Sequence, residues 1–468
     1  MKALKKNVLI LVVMSLFLLS VACTNTGNRD AEQTGEVQQM MKQPAEGSAS
    51  ILSNYREPGV IAKPSDFPWM PEIVLTKQPF GGYTADFNIE SFAPPATPDK
   101  MTYYVDIHTG NDLNDGLTAA TAFQSIHKGL QQPDVDILYI APGLYPKNKG
   151  FNRVSPTRDI VIKPTYKGKV ISSAHVELDL TLDAAYTHVY RATSHAGIEA
   201  VYDLGLRDEY GDGRKLSGTE SPAEVAQTPG SWYSDGSTIW LRLEDDRTPD
   251  EDVRAYGGGI NGLINNNITA YIEGIEFHGG SPFVVTNQTA SDDIRVYFKD
   301  CAFRYSSSAG SNGLSIRGAS EVFLQNCIAS RNHKDGFNYH VKNDIVPRVL
   351  EVNCIGRHNG IDGDKDSINN GSTQHDGGII IRVNGLYYGN EGYNIADING
   401  SKSWIIGSAA YGSTSILETR NADFMTDGEM WLDGCVSYGS GDDFIVRSGG
   451  SMHFKHVMSS NVFQNDTY

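Results

Sequence analysis

Positive charge is what this sequence is shortest of. Its 39 Lys and Arg face 56 Asp and Glu, a formal charge of −17 over 468 residues. A chain of that sign is not held on nucleic acid by non-specific electrostatics. If its substrate is an anionic polymer, local positive charge or a metal has to overcome the field. Cysteine is scarce too, at five. The apolar run near the start, "NVLILVVMSLFLL", is shorter than the roughly 20 residues a transmembrane helix needs, so no membrane span is expected there. What is present in quantity is core material: 40% apolar and 10% aromatic residues describe a folded chain, long enough for one large or two ordinary domains.

Lys2, Lys5 and Lys6 precede that run, which leads through small residues to Cys23 in "LLSVAC". The arrangement resembles a bacterial lipoprotein signal, in which the cysteine becomes the lipidated first residue of the mature protein. The resemblance implies loss of residues 1–22, which hold three lysines and no acid, so that −17 becomes −20. It also implies a membrane attachment through lipid alone, at the bacterial cell envelope. Residues 23–50 read as a polar tether. Residues 51–100 read as a Pro-rich extension with scattered aromatics, ordered only where it lies on the domain that follows.

The other cysteines carry the organisation of the chain. Cys301, Cys327 and Cys354 are 26 and 27 residues apart, and Cys435 follows after 81, three times 27. Their contexts "YFKDCAFRYS", "FLQNCIASRN", "LEVNCIGRHN" and "WLDGCVSYGS" each give an alternating strand, the cysteine and a polar turn. The same position passes through Ile275 and Ser408 where cysteine is absent. Short strands repeating at this period predict an all-β solenoid whose coils bury their apolar faces by stacking. Leucine at fixed offsets, which a leucine-rich repeat needs, is missing, so the expectation is a parallel β-helix. Equivalent residues of neighbouring coils then lie about 4.8 Å apart, and the cysteines form an inward ladder of parallel side chains, a poor geometry for disulfides.

The segment "MTYYVDIHTGNDLNDGLTAATAFQSIHKGLQQPDVDILYIAPGLYPKN" holds a strand, a polar loop, a short amphipathic helix with Phe123, Ile126 and Leu130 on one face, and a buried strand. It resembles the opening of right-handed parallel β-helix proteins of the pectate lyase superfamily, where a helix caps the first coil and covers its open edge. The β-helix domain is expected over 101–468. An insertion interrupts it at about 196–255 and includes the hairpin "WYSDGSTIWLRL".

Chemistry-bearing residues concentrate in "NGIDGDKDSINNGSTQHDGG" and the coils around it. Asp335-Gly336 stands eight residues after Cys327 and Asp376-Gly377 22 after Cys354. This suggests an inserted loop from Ile361 to Gln374 and a column of Asp335, Asp376 and Glu391 in successive coils, with Asp362, Asp364 and Asp366 beside it. Stacked carboxylates repel, and a hard cation with oxygen ligands, Ca²⁺, would resolve that. Local Asx-turn chemistry accounts equally for an isolated Asp-Gly. His333, Lys334, His340, Lys342, His358, Lys365, His375 and Arg382 supply nearby basic groups, and Tyr339, Tyr387, Tyr388 and Tyr393 could stack on sugar rings.

A β-helix with an acidic turn resembles the family 9 polysaccharide lyases. The resemblance implies Ca²⁺ on Asp335, Asp362, Asp364, Asp366 and Asp376, and Lys365 as the base of a β-elimination on a uronate glycan. Asn338 departs from that family's pattern, which tends to have a second Asp there. His375, Arg382 and His340 stand beside Lys365 as catalytic candidates, with Asp376 expected to orient the His375 imidazole. A glycoside hydrolase, using paired carboxylates on the same scaffold, and a glycan-binding surface lipoprotein without catalysis are the competing expectations. A polysaccharide is the expected partner, and the protein is expected to be a monomer.

Overall fold

The computed structural model of the protein describes residues 58–79, 82–97, 99–193, 197–360, 369–415, 421–447 and 449–459. Cys23, Asp362, Asp364, Lys365 and Asp366 therefore lie outside the described residues. The fold is the expected right-handed parallel β-helix. Three long sheets run its length: one of 11 strands from Thr102–Val105 to Ser451–Lys455, one of ten from Gly143–Tyr145 to Met458–Ser459, and one of eight from Ile260–Ile264 to Asp442–Val446. Helix is confined, among the described residues, to short segments such as Ile126–Leu130, which buries Ile126 and Leu130 against the first coils.

Parallel register turns sequence repeats into ladders. Ala302, Ile328, Ile355, Leu386, Ala409 and Val436 are successive partners. The residues before them, Cys301, Cys327, Cys354, Gly385, Ser408 and Cys435, thus share one position, as the cysteine spacing predicts. All four cysteines are buried and unpaired. The turn beside them holds buried asparagines: Asn332 Nδ2 donates to Asn359 Oδ1 (2.9 Å) and Asn359 Nδ2 to Asn390 Oδ1 (2.9 Å), so each side chain satisfies its neighbour's amide one coil along.

The expected loop boundaries need correction. Phe337, Ser372 and Ile395 are register partners, so Asp335-Gly336 aligns with Asn370-Gly371, not with Asp376-Gly377. Ser372–Gln374 is a strand of the eight-stranded sheet inside what was read as inserted loop, while Ile379–Val383 belongs to the 11-stranded sheet. Phe337 follows Cys327 by ten residues and its register partner Ser372 follows Cys354 by 18, so about eight residues, not 14, are inserted at this corner; the coil from Cys354 to Gly385 is 31 residues and the next, to Ser408, is 23. Asp-Gly misled because it serves two different corners: Asp376 turns the chain in the left-handed region (φ 61°) and Asp335 does not.

Two further segments attach to the solenoid. Phe67, Leu75 and Tyr83 of the extension pack on Tyr297, Phe323, Trp404 and Trp431, covering the outer face of the 11-stranded sheet. The insertion begins earlier than expected. Its two sheets, one antiparallel and one mixed, span His175–Val176 to Val253–Gly257, because Val170–Ser173 is already a coil strand and the coil resumes at Ile260–Ile264. Buried Asp212 fastens it to the ten-stranded sheet through Arg304 and Arg357.

One buried acid makes this fold pH-sensitive. Asn394 Nδ2 (2.8 Å) and Ser440 Oγ (2.5 Å) donate to Asp423, and Ser437 Oγ lies 2.7 Å from Asp423 and 2.8 Å from Asp443. One hydroxyl proton cannot serve both carboxylates, so a proton on Asp423 completes the chain. Burial, with Asp443 nearby, lifts the Asp423 pKa from 3.8 to about 7 despite those donors. A pKa raised by folding gives stability that is full below the unfolded value and is lost as pH rises through the folded one, at about 1.4 kcal/mol per pH unit. Asp423→Asn, whose amide can donate to Ser437, should match wild type at about pH 4 and melt higher at about pH 8. Parallel pH dependences of the two melting temperatures would contradict this.

Candidate functional site

The candidate site lies on the outer face of the eight-stranded sheet, and strand alternation decides what reaches it. In Phe337–His340, Phe337 and Tyr339 join the core, which turns Asn338 and His340 outward. Register places Arg317 beside His340 on the strand before, and the residue after Gln374, His375, beside it on the strand after. The His340 and His375 rings stack 3.8 Å apart at 16°. Asp376, held at its positive φ by the corner, accepts from His340 Nδ1–H at 3.1 Å and from Asn399 Nδ2 at 3.1 Å. That contact leaves His340 Nε2 as the basic nitrogen.

Asp376 thus orients His340 and not His375, contrary to the expectation from sequence. Partial burial opposes ionisation of Asp376, but the bonds from His340 and Asn399 hold its pKa below the usual carboxylate value. Asn338 Nδ2 donates to His375 Nε2 (3.2 Å) and to Asp335 Oδ2 (2.7 Å). Burial, reinforced by His340, lowers the His375 pKa to about 4. His375 is therefore neutral across the physiological range, and the stacked pair avoids carrying two charges.

The predicted acidic column does not form. Asp335 shares its register position with Asn370 and Tyr393, Asp376 sits at the corner after the next strand, and Glu391 is exposed at a corner of its own. Asp335 is buried, accepts from the Asn370 amide (2.7 Å) and Asn338, and has its pKa raised by desolvation in spite of them. Among the described residues, Asp335, Asp376 and Glu391 do not gather into one cluster of possible ligands. Nor do the two imidazoles suit one ion, since lone pairs lie in the ring planes and these planes are stacked. The cluster of Asp208, Asp212 and His358 at the insertion is set against Arg304, Arg331 and Arg357, whose charge opposes a cation.

Arg382 is withdrawn from the surface altogether. Its register column is Leu324, Glu351, Arg382, Ile405 and Leu432, which faces the interior. There it makes a two-pronged pair with Asp397 (2.8 and 2.9 Å) and donates to Ser372 (3.0 Å). Tyr339 (2.8 Å) and Tyr387 donate to the buried Glu351, and Tyr393 is fully buried with its hydroxyl accepting from Arg447 (2.8 Å). None of these tyrosines can stack on a sugar. Tyr388 is half-buried, and its outward ring stacks on Tyr411, which stacks on Tyr438, each at 4.7 Å. Lys342 is tied to Thr286 Oγ1 (2.7 Å) and the Asn287 carbonyl (2.6 Å). Arg317 and Asn399 were not singled out from sequence; Arg317 stands 23 residues before His340, one coil away, which is the signal that could have found it.

No protein-family model matches this chain, and no curated protein matches its sequence. Among solved structures it is similar to a glycoside hydrolase at 10% identity, covering 76% of this chain and 96% of that one with a TM-score of 0.46. It is similar to XylC in complex with xylose at 11% identity, covering 77% and 70% with a TM-score of 0.47. Pectate lyase Pel9A is 15% identical, with 80% and 81% covered and a TM-score of 0.43.

The interior place of Arg382 has a measurable consequence. Removing one partner of a buried ion pair leaves an uncompensated charge and costs about 3 to 5 kcal/mol. Arg382→Ala should therefore lower stability by that order in a denaturant titration. A variant of wild-type stability that had lost only activity would return Arg382 to the site.

Proposed function

We propose that this protein is a carbohydrate-active β-helix enzyme, a lyase that cleaves an acidic glycan by β-elimination with His340 as general base. One observation carries the reading: an outward imidazole whose Nδ1–H is held by Asp376, itself held by Asn399, so that Nε2 is presented as a proton acceptor. In a uronate the proton to be removed is on C5, next to the carboxylate. His340 Nε2 takes it, and the Asp376 carboxylate stabilises the imidazolium that results. His375, neutral and stacked on the ring, fixes its plane without adding a repelling charge. The glycan oxygen on C4 leaves as the C4–C5 double bond forms. In this reading the protein works at the bacterial cell envelope, attached through a lipid on Cys23.

His340→Ala should reduce the appearance of ultraviolet-absorbing unsaturated ends from uronate polymers by about a hundredfold or more. Asp376→Asn should cost less, about ten- to a hundredfold, because the imidazolium loses its partner. New reducing ends without ultraviolet absorbance would make the enzyme a hydrolase. Polymer affinity without turnover would make it a binding protein. Chelation separates the two sources of carboxylate neutralisation, a bound cation such as Ca²⁺ or a side chain of the sheet face.

A further inference from the structure

We propose that Arg317 is the carboxylate-binding residue of this sheet face and, together with Asn338, selects uronate over neutral sugar. The proposal rests on the reading of His340 as the base. Arg317 ends the strand Leu314–Arg317 and is exposed, and its register partner on the next strand is His340. Its backbone is thus about 4.8 Å from that of the base. Among the described residues no carboxylate pairs with it, on a chain with 56 acids to 39 basic residues. Its charge nonetheless reaches the stacked histidines, being among the influences that lower His375.

Asn338 adds a second, independent mark. It is 4% exposed and lies on the same outward face. Its amide group is committed to Asp335 and His375, whereas its Oδ1 is buried without a partner. A buried acceptor left open costs free energy until a donor arrives, and a sugar hydroxyl is such a donor. A guanidinium on the neighbouring strand and an open acceptor two residues along the base's own strand call for a ligand carrying a carboxylate and a hydroxyl on one ring.

The chemistry follows the same geometry. With the carboxylate paired to Arg317, negative charge that spreads onto it as the C5–H bond breaks is stabilised where it develops. The proton passes to His340 Nε2, the C–H electron pair becomes the C4–C5 double bond, and the C4–O bond breaks. The departing oxygen receives a proton from water or from the imidazolium, so no oxidant or further reactant is required. Arg317 thereby does the work that a cation would do, and the elimination is expected to resist chelation.

Binding of polygalacturonate, polyguluronate, polymannuronate and hyaluronan to the full chain, each compared with its carboxyl-methylated form in excess EDTA, tests this. Wild type should prefer the free acid of at least one polymer by about tenfold or more. Arg317→Gln should erase that preference at an unchanged melting temperature, and Arg317→Lys should keep part of it. No preference in wild type, a preference that EDTA abolishes, or one that survives Arg317→Gln overturns the proposal. His340→Ala tells its failure from that of the base: that variant should keep the binding preference and lose turnover. Preference retained in a His340→Ala enzyme that still turns over would remove the base and leave Arg317 in place.

Discussion

Everything in this molecule depends on the parallel strand spacing of about 4.8 Å. Whatever stands at one position of a coil meets its counterpart in the next, so each residue choice is repeated against itself. Groups that profit from self-contact therefore accumulate: cysteines as small buried hydrophobes, asparagines whose amide and carbonyl bond head to tail, tyrosines ring on ring. Groups that repel themselves must be interrupted. The position shared by Asn312, Asp335, Asn370 and Tyr393 shows this, because the single carboxylate is flanked by amides one coil away on either side. An unbroken acidic column would need a cation at every step.

The interior obeys the same constraint at greater cost. Glu351 and Arg382 are register partners in a column otherwise filled by Leu324, Ile405 and Leu432. Two charged groups fit there because every polar atom finds a partner: Tyr339, Tyr387 and Ser372 donate to Glu351, and Asp397 takes the guanidinium on both prongs. Replacing such a network by well-packed apolar residues is often neutral or favourable, so its value here is in register. Only one alignment of these coils satisfies Glu351 and Arg382 together, and this stretch contains the irregular coil of 31 residues where slippage would otherwise be easiest.

The architecture was legible in the sequence because self-contact leaves a period. Cysteine marked it at Cys301, Cys327, Cys354 and Cys435, and Ile275 and Ser408 could be placed by the spacing. It failed between Cys354 and Ser408, where Gly385 stands in the cysteine position and one long coil is followed by one short one. Side-chain direction was legible in principle. With Phe337 apolar and inward, alternation in "FNYH" sends Tyr339 inward and Asn338 and His340 outward. Which acid serves which histidine was not legible, because the Asp376–His340 bond crosses coils and depends on a register that sequence left one corner wrong.

In the proposed reading of His340 as the base, that register also explains why a single histidine would not serve. An isolated imidazole on a solvated sheet face would turn freely. Here His340 has an oriented acid on one edge and a neutral ring on one face. The two neighbours are compatible with the same step: Asp376 stands ready to pair with the imidazolium, and His375, buried down to a pKa of about 4, adds no charge that would oppose it. Had His375 been solvated and cationic, the stacked pair would disfavour the protonation that catalysis requires. The buried Asn338, bonded to His375 and to Asp335, holds that ring in place and neutral, so the order of this face begins one residue beneath its surface.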